Sequence, residues 1–174
     1  IKENTYLLLS PYYESWNINS ADKEVAPLVQ SIALPVGLIL PLNEKWQLNT
    51  IPILRTNGQY LFKKNTMQFG GAAFASYAVT PQKKFRLGVY MNQEFFGLFV
   101  WPLVGTDWRL GSNDYLVALL PGSLTYEHRW NNHLYSGTAF RALTNSFRLD
   151  NGNFVRVDDN QVSLYLDIYP VRHW

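Results

Sequence analysis

The sequence predicts an all-β protein whose antiparallel strands close into an up-and-down barrel. The clearest observation is the stretch Phe85 to Glu94, FRLGVYMNQE, in which apolar residues occupy odd positions and mostly polar residues occupy even ones. This period of two is typical of a strand with one apolar and one polar face. The alternation recurs along the chain between turn residues, and we expect about ten strands, with roughly eight to twelve compatible with the pattern.

A second observation distinguishes a strand from a membrane helix. The uncharged run at 25–43 has the length of a membrane-spanning helix, but its prolines, Pro27, Pro35 and Pro41, would each disrupt one. Every even position from 32 to 42 is large and aliphatic, whereas small residues such as Ala33 and Gly37 occupy odd ones. The run is therefore predicted to be a strand.

Alternation of the same kind predicts the other strands. Pro121-Gly122 is a strong turn signal that keeps the count at about ten strands, whereas a kink there would lower it to about eight. A change of phase near Phe140-Arg141 predicts a bulge. The remaining predicted strands are Thr5 to Trp16, Trp46 to Asn57, Met67 to Val79, Trp101 to Leu110, Tyr115 to Leu120, Ser123 to Trp130 and Leu134 to Leu149.

The last predicted strand, Gln161 to Trp174, follows a polar loop at 150–160. A barrel in a bilayer must leave no open strand edge, because lipid offers no partner for backbone N–H and C=O groups. We therefore expect Gln161 to Trp174 to close the barrel against Thr5 to Trp16.

Composition limits the partners and the chemistry. The chain is expected to be one domain over 1–174, and its 47% apolar residues are dispersed, since the mean hydropathy is only −0.15. The net charge of +2 argues against nucleic acid as a partner. The absence of cysteine excludes disulfides and thiolate metal sites. The chain opens without a leader, so we expect any signal peptide to have been removed or not included.

Turn lengths and aromatic residues favour a transmembrane barrel over the competing fold, a soluble lipocalin-like barrel. Short turns at Asn43, Pro81, Gly111 and Asn131 alternate with longer connections near 18–25, 57–66 and 150–160, as in outer-membrane barrels. Aromatic rings near the short turns predict an interfacial girdle, because they combine an apolar body with a polar group. Its predicted members are Trp46, Phe85, Trp108, Tyr115, Trp130 and Trp174.

The polar face carries a balanced set of charges. If the apolar face contacts lipid, five acids and five bases point into the barrel lumen. A barrel of this size is nearly filled by side chains, so these charges must pair. A salt-bridged plug is therefore favoured over an ion or solute path. The predicted lumen charges are Glu14, Arg55, Arg86, Glu94, Asp107, Arg109, Glu127, Arg129, Arg141 and Asp167.

The histidines test for hydrolase chemistry. His128 lies beside Glu127, and Ser123 and Ser136 are near in sequence, which are the residue types of a serine hydrolase. Alternation, however, puts His128 on the face of Trp130 and Glu127 on the other, so an interfacial role for His128 is favoured. No spacing resembles a zinc or calcium site or a phosphate-binding loop. The sequence thus predicts no catalytic, cofactor-binding or metal-binding residue.

The segment Pro102 to Ala142 contains the motifs GTDWR and LPGSLTYEHRW. With these motifs it resembles a family of Gram-negative outer-membrane β-barrel proteins of unknown function. The resemblance implies the barrel fold and a location in the cell outer membrane of a Gram-negative bacterium. It transfers no activity and no catalytic residue.

We therefore expect a membrane protein that acts as a structural or accessory subunit of the cell envelope. A small-solute transporter or channel is the alternative, and an outer-membrane lipid-modifying enzyme is the second alternative, with a non-enzymatic role favoured. Expected partners are the lipid bilayer and lipopolysaccharide, whose phosphates Lys63-Lys64 can meet. Other outer-membrane proteins are candidate partners in a complex, and no cofactor is expected.

Overall fold

The computed structural model describes residues 5–18 and 28–170, and within them every regular element is a strand. No helix in this part of the chain has the length and apolarity needed to cross a bilayer. Trp174 and the end of the predicted last strand lie outside the described residues. The strands are β1 (Tyr6–Leu9), β2 (Tyr12–Asn17), β3 (Leu28–Pro41), β4 (Trp46–Gly58), β5 (Met67–Thr80), β6 (Lys83–Glu94), β7 (Gly97–Arg109), β8 (Asp114–Leu120), β9 (Ser123–Arg129), β10 (Leu134–Arg148) and β11 (Phe154–Ile168).

The strands form one antiparallel meander in which each strand from β3 to β11 pairs with the next along the chain. Both β1 and β2 pair with β3, and they do so in one continuous register, with Leu9 opposite Val36 and Tyr12 opposite Ala33. The break between them falls at Ser10-Pro11. Proline has no N–H for the ladder, which explains why the predicted single strand is interrupted there.

The ring closes where β10 ends beside the end of β4. A single parallel bridge joins Arg148 to Gly58, so that β4 to β10 form a closed barrel of seven strands, with four more strands outside the ring. The predicted seam is wrong: among the described strands β11 pairs with β10, whereas β1 and β2 pair with β3. Closure depends on a contact between strands distant in sequence, which no local pattern records.

The Pro121-Gly122 turn is confirmed as the junction of β8 and β9. Two predictions about β10 and β11 are wrong. The last strand begins at Phe154, inside the predicted polar loop, because Asp158 has in-sheet partners: Thr144 donates to it at 2.7 Å and Arg156 pairs with it. The bulge predicted near 140–141 is absent, since the β10–β11 register runs unshifted along both strands.

The two faces of the sheet differ in the way the alternation predicts. Twelve buried residues of the described chain are polar or charged and six are apolar. Rows of large apolar side chains are exposed on the opposite face, among them Leu87 and Val104. Most of the buried side chains, such as Ser31, Asn49 and Ser76, lie on the same face of the sheet as Arg55, whereas Thr56 on the other face is buried against Thr66. The barrel interior is therefore polar and the outer wall is apolar.

Phe147 provides a test of the closing contact. Its side chain is fully buried (0% exposed) beside the bridge, whereas Phe154 at the start of β11 is 42% exposed. We expect Phe147→Ala to lower the free energy of unfolding by about 3–5 kcal/mol, because it leaves a cavity. Phe154→Ala should lower it much less. Urea titration in detergent measures both, and equal losses would show that the end of β10 is not packed as described.

Candidate functional site

A buried glutamate lies at the centre of the polar interior. Glu94 ends β6, and its side chain is 0% exposed. Its Oε1 atom accepts hydrogen bonds from the Arg55 guanidinium and from the Asn92 amide. Its Oε2 atom accepts from the Gln68 amide at 3.2 Å, from the Ser146 backbone N–H at 2.9 Å and from the Ser146 hydroxyl. Each carboxylate oxygen therefore has at least two donors.

The donors come from four strands that meet at one end of the barrel. Arg55 donates through Nε to Gln68 Oε1 at 3.1 Å and through a second guanidinium nitrogen to Asn145. Asn57 donates to Gln68 Oε1 at 2.8 Å and to the Ser146 carbonyl at 3.2 Å. These bonds tie β4, β5 and β6 to β10 next to the closing bridge. The Glu94 cluster comprises Arg55, Asn57, Gln68, Asn92, Glu94, Asn145 and Ser146.

The arrangement is suited to holding the fold together. All three guanidinium nitrogens of Arg55 are engaged, and its side chain is only 4% exposed. A buried ion pair is favourable only when further hydrogen bonds satisfy both partners, and this pair meets that condition. The Glu94 cluster leaves neither charge free for a ligand or a proton transfer.

The register places all ten predicted lumen charges on the inner face. Four of them pair with one another, as Arg55 with Glu94 and as Arg86 with Asp107. The other contacts involve residues outside the set. Glu127 accepts a hydrogen bond from the Tyr165 hydroxyl at 3.1 Å, and the Arg109 guanidinium lies over the Tyr115 ring. Arg129 donates to Asn113, and Arg141 donates to Gln161 and pairs with Asp159.

The amides and the serine of the Glu94 cluster were missed in the sequence. Gln68 and Asn92 share the inward parity with the predicted charges, so alternation alone could have found them. Asn145 shares the parity of Arg141, so alternation could also have found it, whereas Ser146 has the opposite parity and contacts the cluster only because β10 ends beside it.

Aromatic side chains form an exposed band at the end of the barrel that carries the turns at 42–45, 81–82, 110–113 and 130–133. Lys83 Nζ lies 3.7 Å from the centroid of the Trp108 ring and 4.9 Å from that of Phe85. Tyr115 is not part of the band, because Leu116 stands opposite Trp108 and Tyr115 therefore points inward. The band comprises Trp46, Phe85, Trp108 and Trp130, and the half-buried Tyr77 ring packs against Trp46.

A hydrogen-bonded polar group lies on the outer face next to this band. His128 Nδ1 is 2.7 Å from Asp114 Oδ1, which also accepts a hydrogen bond from the Tyr126 hydroxyl at 2.6 Å. Trp130 Nε1 donates to Ser136 Oγ at 2.8 Å. As the alternation predicts, Glu127 points to the other face, away from His128. The acid that meets His128 is Asp114 from the neighbouring strand.

A crevice of about 240 Å³ lies at the opposite end of the barrel, between the 59–66 connection and the β10–β11 turn. Lys63, Lys64 and Arg148 line it. Lys63 also pairs with Asp150, another lining residue. The described residues include no group of three or more histidine, aspartate or glutamate side chains placed to hold a metal ion.

Comparison with known proteins found no matching family model, no matching curated protein and no matching solved structure. The chain's function must therefore be argued from its own geometry.

The Arg55–Glu94 pair yields a prediction on stability. Glu94→Gln should lower the free energy of unfolding by about 3–5 kcal/mol, because it leaves the Arg55 charge buried and unpaired. Adding Arg55→Met should recover part of that loss, since it removes the orphaned charge. A double-mutant cycle by urea titration in detergent measures the coupling, and strictly additive losses would contradict it.

The Arg86–Asp107 pair is the matched control. Its side chains are 22% and 30% exposed, so solvent screens the interaction more than it screens the Glu94 cluster. We expect Asp107→Asn to cost no more than about 1 kcal/mol. If Asp107→Asn lowered the free energy of unfolding as much as Glu94→Gln does, burial would not explain the difference between the two ion pairs.

Proposed function

We propose that this chain is an outer-membrane β-barrel of a Gram-negative bacterium, whose sheet has about ten strand positions, seven of which form the closed ring. It acts as a structural or accessory component of the envelope, with a closed, polar lumen. β1 and β2 lie end to end along β3 in one register, so they occupy a single strand position, and the eleven strands therefore fill ten positions. The resemblance of Pro102 to Ala142 to an outer-membrane family agrees with this proposal.

The apolar outer wall is the observation that carries the proposal. Leu87 stands opposite Val104, and Val104 in turn stands opposite Leu120 on the next strand; all three side chains are exposed. Similar exposed residues continue along β11 as far as Leu164, which is 84% exposed. Soluble monomers rarely expose apolar patches larger than a few hundred Å². A wall of this kind, around a polar interior, is what lipid contact requires.

Strand lengths support the same proposal. The strands β3 to β7 contain 12 to 14 residues, and a transmembrane strand needs about 9–11. The β8–β9 hairpin is shorter, with seven residues in each strand. Beyond the turn of this hairpin, the segment of β7 from Gly97 to Leu103 pairs with β6 alone. Because lipid cannot satisfy such an edge, this upper part of β7 lies outside the hydrocarbon in the proposed placement.

The interior supports a structural role over transport. The Glu94 cluster crosses the lumen at one end, where its buried side chains bond strands β4, β5, β6 and β10 together. An ion path would need water-filled space lined by groups free to replace a hydration shell. Here the central carboxylate is saturated by donors from the protein itself.

The end opposite the aromatic band is the proposed outer surface. Lys63, Lys64 and Arg148 are gathered there around the crevice, with Asp150 as the one acid among its lining residues. Lysine and arginine bind phosphate through charge-assisted hydrogen bonds. We include the phosphates of lipopolysaccharide among the partners on this basis, together with other outer-membrane proteins.

Leu87→Arg tests the lipid-facing assignment. Leu87 is 67% exposed, so a soluble barrel would tolerate arginine there. In a bilayer the change should cost about 2–4 kcal/mol if the residue lies near the midplane. Urea titration of the protein folded into liposomes measures the loss.

Phe62→Arg is its control, because Phe62 is equally exposed but lies on the loop at the proposed outer surface. We expect a change within about 0.5 kcal/mol there. Two similar, small effects would refute the membrane placement, and so would recovery of the wild-type protein from cells in the aqueous fraction without detergent.

Conductance tests the closed lumen against the channel alternative. We expect the wild-type barrel to give no discrete conductance steps in a planar bilayer, because the Glu94 cluster fills the lumen. Discrete steps from heat-modifiable, folded protein would favour the transporter or channel.

A further inference from the structure

Three polar side chains form a row across three neighbouring strands on the outer face of the sheet. They take no part in the Glu94 cluster, on which the proposed structural role rests. Asp114 on β8 stands opposite His128 on β9, and His128 stands opposite Ser136 on β10. Directly opposite side chains have Cβ atoms about 4.5–5.5 Å apart. The sheet thus presents an acid, an imidazole and a hydroxyl in the order of a serine-hydrolase triad.

The hydrogen bond to Asp114 fixes which imidazole nitrogen of His128 is the donor. A carboxylate only accepts, so in the 2.7 Å contact His128 Nδ1 must carry the proton and donate it to Asp114. Neutral His128 then has its lone pair on Nε2. The Tyr126 hydroxyl donates to the same carboxylate oxygen at 2.6 Å and holds Asp114 in place. This tautomer is the one a general base needs.

The hydroxyl is placed by Trp130. An indole N–H only donates, so Ser136 Oγ accepts in the 2.8 Å contact and its own hydrogen is free to be donated. In the described structure no hydrogen bond joins Ser136 to His128, and His128 Nε2 is the acceptor that faces it across the strand pair. The Trp130 ring also packs edge-on against the imidazole, with centroids 4.6 Å apart. A rotation about the Ser136 side chain brings Oγ toward the base, and apo sites commonly complete this bond only with substrate.

We propose that Ser136, His128 and Asp114 form a hydrolytic site on the outer wall, for acyl esters of membrane lipids. Ser136 Oγ attacks the ester carbonyl carbon while His128 Nε2 takes the hydroxyl proton. The carbon–oxygen bond to the alcohol breaks, and the alcohol leaves with that proton. Water then attacks the acyl-serine through the same base, which releases the fatty acid and restores the hydroxyl.

The surroundings indicate the substrate class, and this step rests on the proposed function. The side chains of His128 and Asp114 are 28% and 33% exposed, so a substrate can reach them from outside the barrel. Leu166 stands opposite Ser136 and is exposed, and Leu164 follows on the same face of β11. An acyl chain lying on these leucines would present its ester at the level of the aromatic band, where lipid esters are found.

A fluorophosphonate probe tests the site on the purified wild-type protein in detergent. The probe phosphonylates activated serines, and we expect one adduct, on Ser136, located by mass spectrometry of the digested protein. His128→Gln should lower the labelling rate by about 100-fold or more, because it removes the general base. Asp114→Asn should also lower it, while Ser123→Ala and His133→Gln, which change residues outside the row, should leave it unchanged.

The second readout is the release of fatty acid from phosphatidylethanolamine vesicles, with p-nitrophenyl butyrate in detergent as the short-chain comparison. Both esters should be hydrolysed, and Ser136→Ala should abolish both activities. Folded wild-type protein that is not labelled at Ser136, or labelling that survives His128→Gln, overturns the site. Hydrolysis of the short ester alone overturns the lipid substrate. Since probe and short ester need no bilayer, failure here is distinct from failure of the membrane placement.

Discussion

The carboxylate of Glu94 is the constraint on which the rest of the structure depends. The backbone closes the seven-strand ring through one bridge, Arg148 to Gly58, which is far less than the ladders between the other strands. Side chains supply what the backbone does not: Glu94 and Arg55 join three strands of the wall to the end of β10. A buried charge that loses its partner is strongly destabilising, so the Arg55–Glu94 pair stabilises the closed ring against separation of its strands.

The polar interior has a consequence for the outer wall. A sheet with a period of two has only two faces, and when one is occupied by bonded charges and amides, the apolar residues must occupy the other. In water, such a wall would remain unburied and prone to association. The polar interior and the exposed apolar wall are therefore two results of one alternation. The same alternation leaves Asp114, His128 and Ser136 as polar exceptions on the outer face, and exceptions of this kind call for a functional explanation.

Much of the wall could be predicted from the sequence because parity is a local property. The strand at 28–41 was recognised despite its prolines, and the predicted lumen charges share one face in the register. Closure could not be predicted, since it depends on how far the sheet curls before Arg148 meets Gly58. The start of β11 was missed because Asp158 looks like a loop residue until its partners on the sheet are known. Glu127 was considered as the partner of His128 only because it is adjacent in sequence, whereas Asp114 is adjacent in the sheet.

The central claim is that the apolar outer wall contacts lipid, and the absence of cysteine makes it directly measurable. Single variants Leu87→Cys and Val104→Cys, with Phe62→Cys on the loop as reference, can be folded into liposomes and treated with a membrane-impermeant maleimide. We predict that the two wall cysteines react far more slowly than the loop cysteine, and that all three react alike after unfolding in urea. Equal rates in the folded, reconstituted protein would mean that the wall faces water, which would contradict the account.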